Sequence, residues 1–590
     1  IAAAVVALLG AGALGLKQLR STPCDTLESR LALAWNDGLR EKLKVALSKS
    51  PVEAARWPYA EKALDTYAQQ WLEAGHAACT AEQPAAALGL QLDCLEERRR
   101  ALATITNMLA TRDDPRVRNT MVVIVGGVPM VSSCADARAL SVPEVVPAKF
   151  TERAQTLREE LVLADVDATI GERGPARKQL RAIADEAKTW PAPSLQCSAL
   201  MKLGSSYSTS GKFPEAAAVY REVIDIAEPA RLDSYVATAS MELLATNALM
   251  GGSREKVDAM IEPTLRLIAR AGRTPHQDFL VEHALSLVYA STGRSAEALP
   301  HVQKAIAALR LAHGGESLAE VMELNNYGAM SDTIGDYATA LKAWNDALAL
   351  ERRMLGDNAD SSLLVWANIA LTNTRFANWD ETEAASRKVI AMGEKRGENL
   401  YTAIAYSMLG NALTAKSFSS APPAKSGSSP EGPEMLDRSL ALLKKLGLEN
   451  APDGAEVQRQ VIEAWVRLGR HAEASAMADT LFKNESARLE PTSAEWILNL
   501  HYAGLAFTAS GQRDRAVETL DRGLKLIAAN PTFAGWRGEL EFTLARAMLL
   551  KPANVARSTE LAASAETELA KVPDRARTLA ALRAWRTKKP

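Results

Sequence analysis

Four of the five cysteines, Cys24, Cys79, Cys94 and Cys134, fall in the first quarter of the 590-residue chain, and Cys197 stands apart. Thiols clustered in this way either join as two disulfides in an oxidising compartment, with three connectivities open to four cysteines, or stay as buried free thiols. Structural zinc would want a close Cys-x-x-Cys pair, which the sequence does not contain. A second chemical pattern is Gly10-Ala-Gly12-Ala-Leu-Gly15, the G-x-G-x-x-G spacing that lets a backbone approach a dinucleotide pyrophosphate. That use needs a helix after the glycines and an acidic residue ending a second strand roughly 20 residues on. Pro23 interrupts any such helix and no second strand follows, so no cofactor is expected. None of the seven histidines belongs to a His-Glu-x-x-His pair or precedes Arg-Asp. No Gly-x-Ser-x-Gly elbow or acidic calcium loop occurs either, so neither catalytic residues nor metal ligands are expected.

Composition narrows what must position these residues. A single core stops growing near about 250–300 residues, so the chain is several domains or a repeat array. With 69 basic against 71 acidic residues and no long basic run, nucleic acid is excluded as the main partner. A 47% hydrophobic content excludes wholesale disorder, and 5% aromatics with abundant Ala and Leu favour closely packed helices.

The chain opens IAAAVVALLGAGALGL, sixteen residues without charge, and reads as a membrane helix over 1–20 that further apolar residues upstream would complete. Helical periodicity follows. Leu27, Leu31, Leu33 and Trp35 share one face, and Ala63, Leu64, Tyr67, Ala68 and Trp71 share another. Cys94 begins a third segment with Leu102, Ile105 and Leu109 on its apolar side. The run MVVIVGGVPMV at 121–131 fits either a strand or a buried helix.

Self-similarity dominates the remainder. Small residues at Gly204, Ala245, Ser286, Gly328, Ala370 and Gly410 stand 41, 41, 42, 42 and 40 apart, and Gly504 and Ala545 stand 41 apart. Seven residues later Gly211, Gly252, Gly293, Gly335, Gly469 and Gly511 mark a turn, and five residues further Ala216, Ala298, Ala340, Ala474 and Ala516 start a second helix. This is a helical hairpin repeated. A small residue in the first helix admits the second, glycine ends the first helix in the left-handed conformation, and the alanine is expected to meet the small site. The stretch SFSSAPPAKSGSSPEGPE at 417–434 cannot bury a core and reads as a flexible insertion.

The hairpins are similar to tetratricopeptide repeats, with a period nearer the kinesin-light-chain type. Cys24, Trp35, Pro58-Tyr59, Leu64-Asp65-x-Tyr67, Trp71, Cys79, Cys94-Leu95-x-x-Arg98 and Cys134-x-Asp136 resemble the membrane-proximal region of myxobacterial-type transmembrane serine/threonine kinases. That resemblance covers essentially the whole chain. It implies an upstream cytoplasmic kinase domain, one membrane helix, a Cys/Trp helical module and a tetratricopeptide array. The kinase motifs themselves are not present between Ile1 and Pro590: Asp278-Phe279 is followed by Leu280, not glycine.

The expected fold is all-α: a membrane helix (1–20), a helical module (24–150), repeats (159–416), the insertion (417–434), further repeats with a C-terminal cap (435–575) and a tail (576–590). Stacked hairpins form a superhelical solenoid whose first helices line a groove for a protein or peptide. The groove candidates are His283, Asn325, Asp332, Thr374, Arg375, Asn411 and His501. Partners are thus a protein or peptide ligand and the membrane, with self-association open to such an array. Lys17 and Arg20 bias this side toward the cytoplasm, while the cysteines and the resemblance place it outside a bacterial inner membrane, anchored by a single pass. The alternative is a repeat scaffold for membrane-associated assembly without signalling.

Overall fold

The computed structural model is helical, with no strand among the described residues. Those are 23–587 apart from 136–139, 141–145, 147, 192, 252, 273, 357–362, 420–430, 450–453, 487–493, 530, 550–553 and 573–574. The expected membrane helix and the Gly10–Gly15 pattern lie outside them. The chain divides into two compact units, Ile1–Glu323 with Ala349–Ala359, and Leu324–Leu348 with Asp360–Pro590.

The first unit opens with the cysteine module, framed by the long helices Pro51–Thr80 and Ala85–Thr111. Ser50 caps the former, accepting from the Glu53 N–H, and Pro51 occupies its first turn, where a missing N–H costs nothing. The ambiguous apolar run is the end of a helix, Pro115–Gly126, with Met121, Val122, Ile124 and Val125 buried. The stretch Pro115–Cys134 is long and apolar enough to cross a membrane, at a mean hydropathy of 1.3. Here Val117, Met121, Ile124, Val131 and Cys134 are packed into the module's core.

The polar residues that carried the resemblance hold these helices in register. Trp35 donates its indole N–H to Asp65 at 2.7 Å, and Trp71 donates to the Leu95 carbonyl at 2.6 Å. The Tyr67 hydroxyl donates to the Pro129 carbonyl at 2.9 Å, and Arg98 donates to the Met130 carbonyl and to Ser133 Oγ. Cys24 is bonded to Cys79 and Cys94 to Cys134, so one bridge ties the segment after the apolar opening to the end of a long helix. The other ties the second long helix to the short turn that follows Pro115–Gly126. Cys197 is free and buried.

Hairpins follow from Thr151–Thr169 with Arg173–Ala187 onward, eight residues ahead of the expected start at 159. Several turns share one hydrogen-bond pattern. Lys212 N–H reaches the Tyr207 carbonyl at 3.0 Å and Gly211 N–H the Ser208 carbonyl, and the same pair recurs at 293–294, 335–336, 469–470 and 511–512. This is the Schellman closure of a helix C-terminus, and it needs a left-handed residue. Gly211, Gly293, Gly335, Gly469 and Gly511 supply it. In the third hairpin a left-handed residue is Gly251, one position ahead of the expected Gly252, which lies outside the described residues. In the hairpin of Leu363–Arg375 and Trp379–Arg396 the position falls to Ala377, at φ 52°. A side chain in that conformation is strained by about 1–2 kcal/mol. Ala377→Gly should therefore raise the stability of the second unit by up to about 1 kcal/mol once glycine's added chain entropy is subtracted, as read from urea midpoints.

The small residues receive something larger than alanine. A Cβ built on Gly204 would lie 2.5 Å from the Tyr220 ring, one on Gly328 2.4 Å from Trp344 Nε1, and one on Gly504 2.4 Å from Leu520. The partner in each case stands one helical turn beyond the expected Ala216, Ala340 or Ala516. Those alanines are fully buried, so the second helix comes close and its large side chain then fills the glycine site.

Two boundaries change. The ends of the 417–434 stretch are helical, since the flanking helices run Leu400–Ser419 and Glu431–Lys445, and 420–430 lies outside the described residues. The stretch read as a tail carries a helix, Ala576–Thr587, packed through the fully buried Leu582 against Leu569 and Phe542.

Candidate functional site

In the first unit the cysteine module lies across the hairpins and bridges distant ones. Val166 and Ile170 of the first hairpin and Leu355 near the unit's end share the module's core, with Leu318 and Met354 packed against it. Gln70 donates to the His313 carbonyl and Ser132 to the Ala312 carbonyl, each at 2.6 Å. Part of the repeat surface is thus already taken by the chain's own module, a use that the hairpin period alone could not reveal.

His283 lies in this unit, on the helix Pro275–Ser291, and forms an ion pair with the buried Glu323 at 2.8 Å. Burial opposes its charge, but Glu323 and Glu242 outweigh burial and hold its pKa above the usual histidine value. On the same helix His276 is depressed to about 4 by burial, aided by His313 and Arg98. The two act on stability with opposite sign. The His283 contribution is complete below the unfolded value of 6.5 and is lost as pH rises through the raised folded value. That of His276 is present above 6.5 and is lost as pH falls toward about 4. His276→Asn should therefore flatten the acid-side loss of stability, and His283→Asn should lower stability most in acid. Urea midpoints at about pH 5 and about pH 8 compare them.

The other candidates lie in the second unit, where first helices carry a polar inner face. Asp332 pairs with Arg375 and accepts from Thr372 Oγ1 at 2.7 Å. Asn325 accepts from Asn368 at 2.8 Å. Asn411 is fully buried and donates to Gln460 at 2.9 Å and to Glu463 at 3.2 Å, while Arg467 donates to both Asn411 and Glu463. Arg459 binds Glu456 at 2.7 Å and Asn499 at 2.8 Å. At the unit's far end Arg575 binds Glu539 at 2.7 Å. His501 stands near Trp536, and burial lowers its pKa. Burial also opposes the charges of Arg375 and Glu456, yet Asp332 keeps the first a firm cation and Arg459 the second a firm anion. Four guanidinium–carboxylate pairs therefore line this face, two within the helix Gly454–Arg467 and two, Arg375–Asp332 and Arg575–Glu539, between separate elements.

Thr374 does not belong to this face. Its hydroxyl donates to the Ala370 carbonyl at 2.8 Å and lies beside Thr382 of its own hairpin's second helix. A residue four after the small position shares the small residue's side of the helix, which is turned toward the second helix, and the next residue, Arg375, is turned inward. Glu456, Arg459, Glu463, Arg467, Glu539 and Arg575 were not among the candidates. The sequence signal for Glu463 and Arg467 is their i,i+4 spacing, which is common on any solvated helix. Arg575 lies beside the stretch read as a tail. Among the described residues no His, Cys, Asp or Glu group is arranged to hold a metal.

Residues 199–233 match the tetratricopeptide repeat family, and they cover the later part of Pro193–Ser208 and all of Phe213–Ala227, a hairpin of the kind that recurs through both units. This segment of the helical-hairpin array is thus a tetratricopeptide repeat. Solved structures similar to it include nearly identical TPR-like repeats assigned to a kinesin light chain of Podosopora anserina, at 20% identity, covering 36% of this chain and 96% of that one, TM-score 0.28. A Rap protein complexed with competence and sporulation factor is 11% identical and covers 59% of this chain and 97% of that one, TM-score 0.38. A human IFIT1 dimer with PPP-AAAA is 14% identical and covers 56% and 67%, TM-score 0.32. No curated protein matches the chain. At these TM-scores the tetratricopeptide assignment rests on the matched repeat and on the hairpins themselves. Arrays of such repeats serve protein binding.

Proposed function

We propose that this tetratricopeptide array is the ligand-binding sensor region of a membrane-anchored, receptor-type serine/threonine kinase, lying outside a bacterial inner membrane. The observation that carries the reading is the disulfide-bonded module: two bridges, Cys24–Cys79 and Cys94–Cys134, are set directly after an uncharged sixteen-residue segment and directly before the repeats. Bridges of this kind persist in oxidising compartments. The Trp, Tyr and Arg residues that resemble the kinase-linked module are those that lock it together. An anchor, a rigid module and a binding array in that order suit capture of a protein or peptide outside the cell and its report across the membrane.

The reading frame upstream of Ile1 is the first check. It is expected to encode the Gly-rich loop, strand lysine, His-Arg-Asp and Asp-Phe-Gly of a kinase. In the full-length product, deletion of residues 193–587 should abolish stimulus-dependent phosphorylation and leave basal phosphorylation in place. An unchanged response would remove the array from signalling and leave a scaffold role.

A further inference from the structure

Arg575 stands at the turn before the last helix, yet it is only 3% exposed. Its Nη1 donates to Glu539 Oε1 at 2.7 Å and to the Arg375 carbonyl at 3.5 Å. The guanidinium lies 4.7 Å from the Trp536 ring centroid and 5.8 Å from that of Phe376. Its Nε and the nearby His501 Nδ1 are buried without a hydrogen-bond partner. A carboxylate, an indole face, a second ring and a carbonyl thus converge on one planar cation, at the inner face where Arg375 and Asp332 also meet. A contact whose only task was to hold the chain end would be made more cheaply by apolar side chains, since burying an ion pair costs desolvation that its attraction barely offsets. The seat is instead selective: the aromatic faces and the carboxylate together suit a guanidinium and suit the strongly hydrated lysine ammonium less well.

We propose that this seat is an arginine-recognition site for a peptide ligand, and that Arg575 is a built-in stand-in that occupies it until an arginine side chain of the ligand displaces it. The proposal rests on the array being a protein-binding surface and adds the side chain that it reads. The observable is a property of the isolated chain, with neither membrane nor kinase in the assay, so its failure and a failure of the sensor reading are separable.

The test is thermal unfolding of the full 590-residue chain carrying Arg575→Ala, with N-acetylarginine amide as probe. At millimolar probe the variant's transition should rise by about 3 °C, as expected for a ligand near tenfold above its dissociation constant. Wild type, with its seat filled, should shift by less than a third of that. N-acetyllysine amide should need at least tenfold more probe, and adding Glu539→Gln to Arg575→Ala should abolish the shift. No shift in Arg575→Ala, an equal shift in wild type, or a shift that survives Glu539→Gln overturns the proposal. Should Arg575→Ala fail to fold, refolding it with the probe is expected to restore folded protein, and no restoration counts equally against it.

Discussion

Trp344→Ala is expected to lower the stability of the second unit by about 4 kcal/mol, near the upper range for truncating a buried aromatic. Trp344 is 2% exposed, its indole N–H donates to the Asn325 carbonyl at 3.2 Å, and its ring fills the space that Gly328 leaves open. Gly328→Ala tests the same contact from the other side. Its new Cβ would lie 2.4 Å from Trp344 Nε1, and helix propensity returns only part of the resulting overpacking, so a net loss of about 1–2 kcal/mol is expected. In the Trp344→Ala background the Cβ meets an empty cavity, and Gly328→Ala should then stabilise by up to about 1 kcal/mol. This sign reversal, read in a double-mutant cycle from urea midpoints, is specific to interlocked helices. Additive effects would mean that the small positions of the repeat do not set the approach of the second helix.

Removing both disulfides should be the most damaging change to the first unit. The bridges close segments of 55 and 40 residues, each worth about 4 kcal/mol in the chain-entropy account, against a whole-domain stability of about 5–15 kcal/mol. The variant with Cys24, Cys79, Cys94 and Cys134 all replaced by serine is expected to lose the module's cooperative transition at moderate urea. Limited proteolysis should then begin within 24–134, and the bonds from Gln70 to His313 and from Ser132 to Ala312 should no longer shield the hairpins. A unit equally stable with and without reductant would contradict this.

The sequence made the hairpins legible because each rests on local rules: a left-handed glycine closing one helix, a small residue beneath a large one, and a fixed period. Where the local signal slipped, as at Gly251 or Ala377, the backbone kept the geometry and changed the residue that supplies it. The inner face of the second unit was only half legible. Asp332, Arg375 and Asn411 stand near small positions, so counting finds them, but their partners come from helices 40 to 56 residues away, and Arg575 reaches Arg375 from 200 residues away. Such pairings are set by how the hairpins stack, and single-helix periodicity says nothing of them. The docking of the cysteine module on its own hairpins was illegible for the same reason. Its Trp and Tyr residues were visible as a pattern, and the two bridges among three connectivities were decided only by which helix ends meet.

Sidedness bears most directly on the sensor reading. Leu33 is 71% exposed on the cysteine module, so a cysteine placed there presents a thiol to solvent without entering the core. Spheroplasts expressing the full-length product with Leu33→Cys, treated with a membrane-impermeant maleimide before and after lysis, report which side of the membrane the module occupies. The account predicts labelling at position 33 in intact spheroplasts, with the four native module cysteines unreactive until reductant is added. Labelling only after lysis would contradict it.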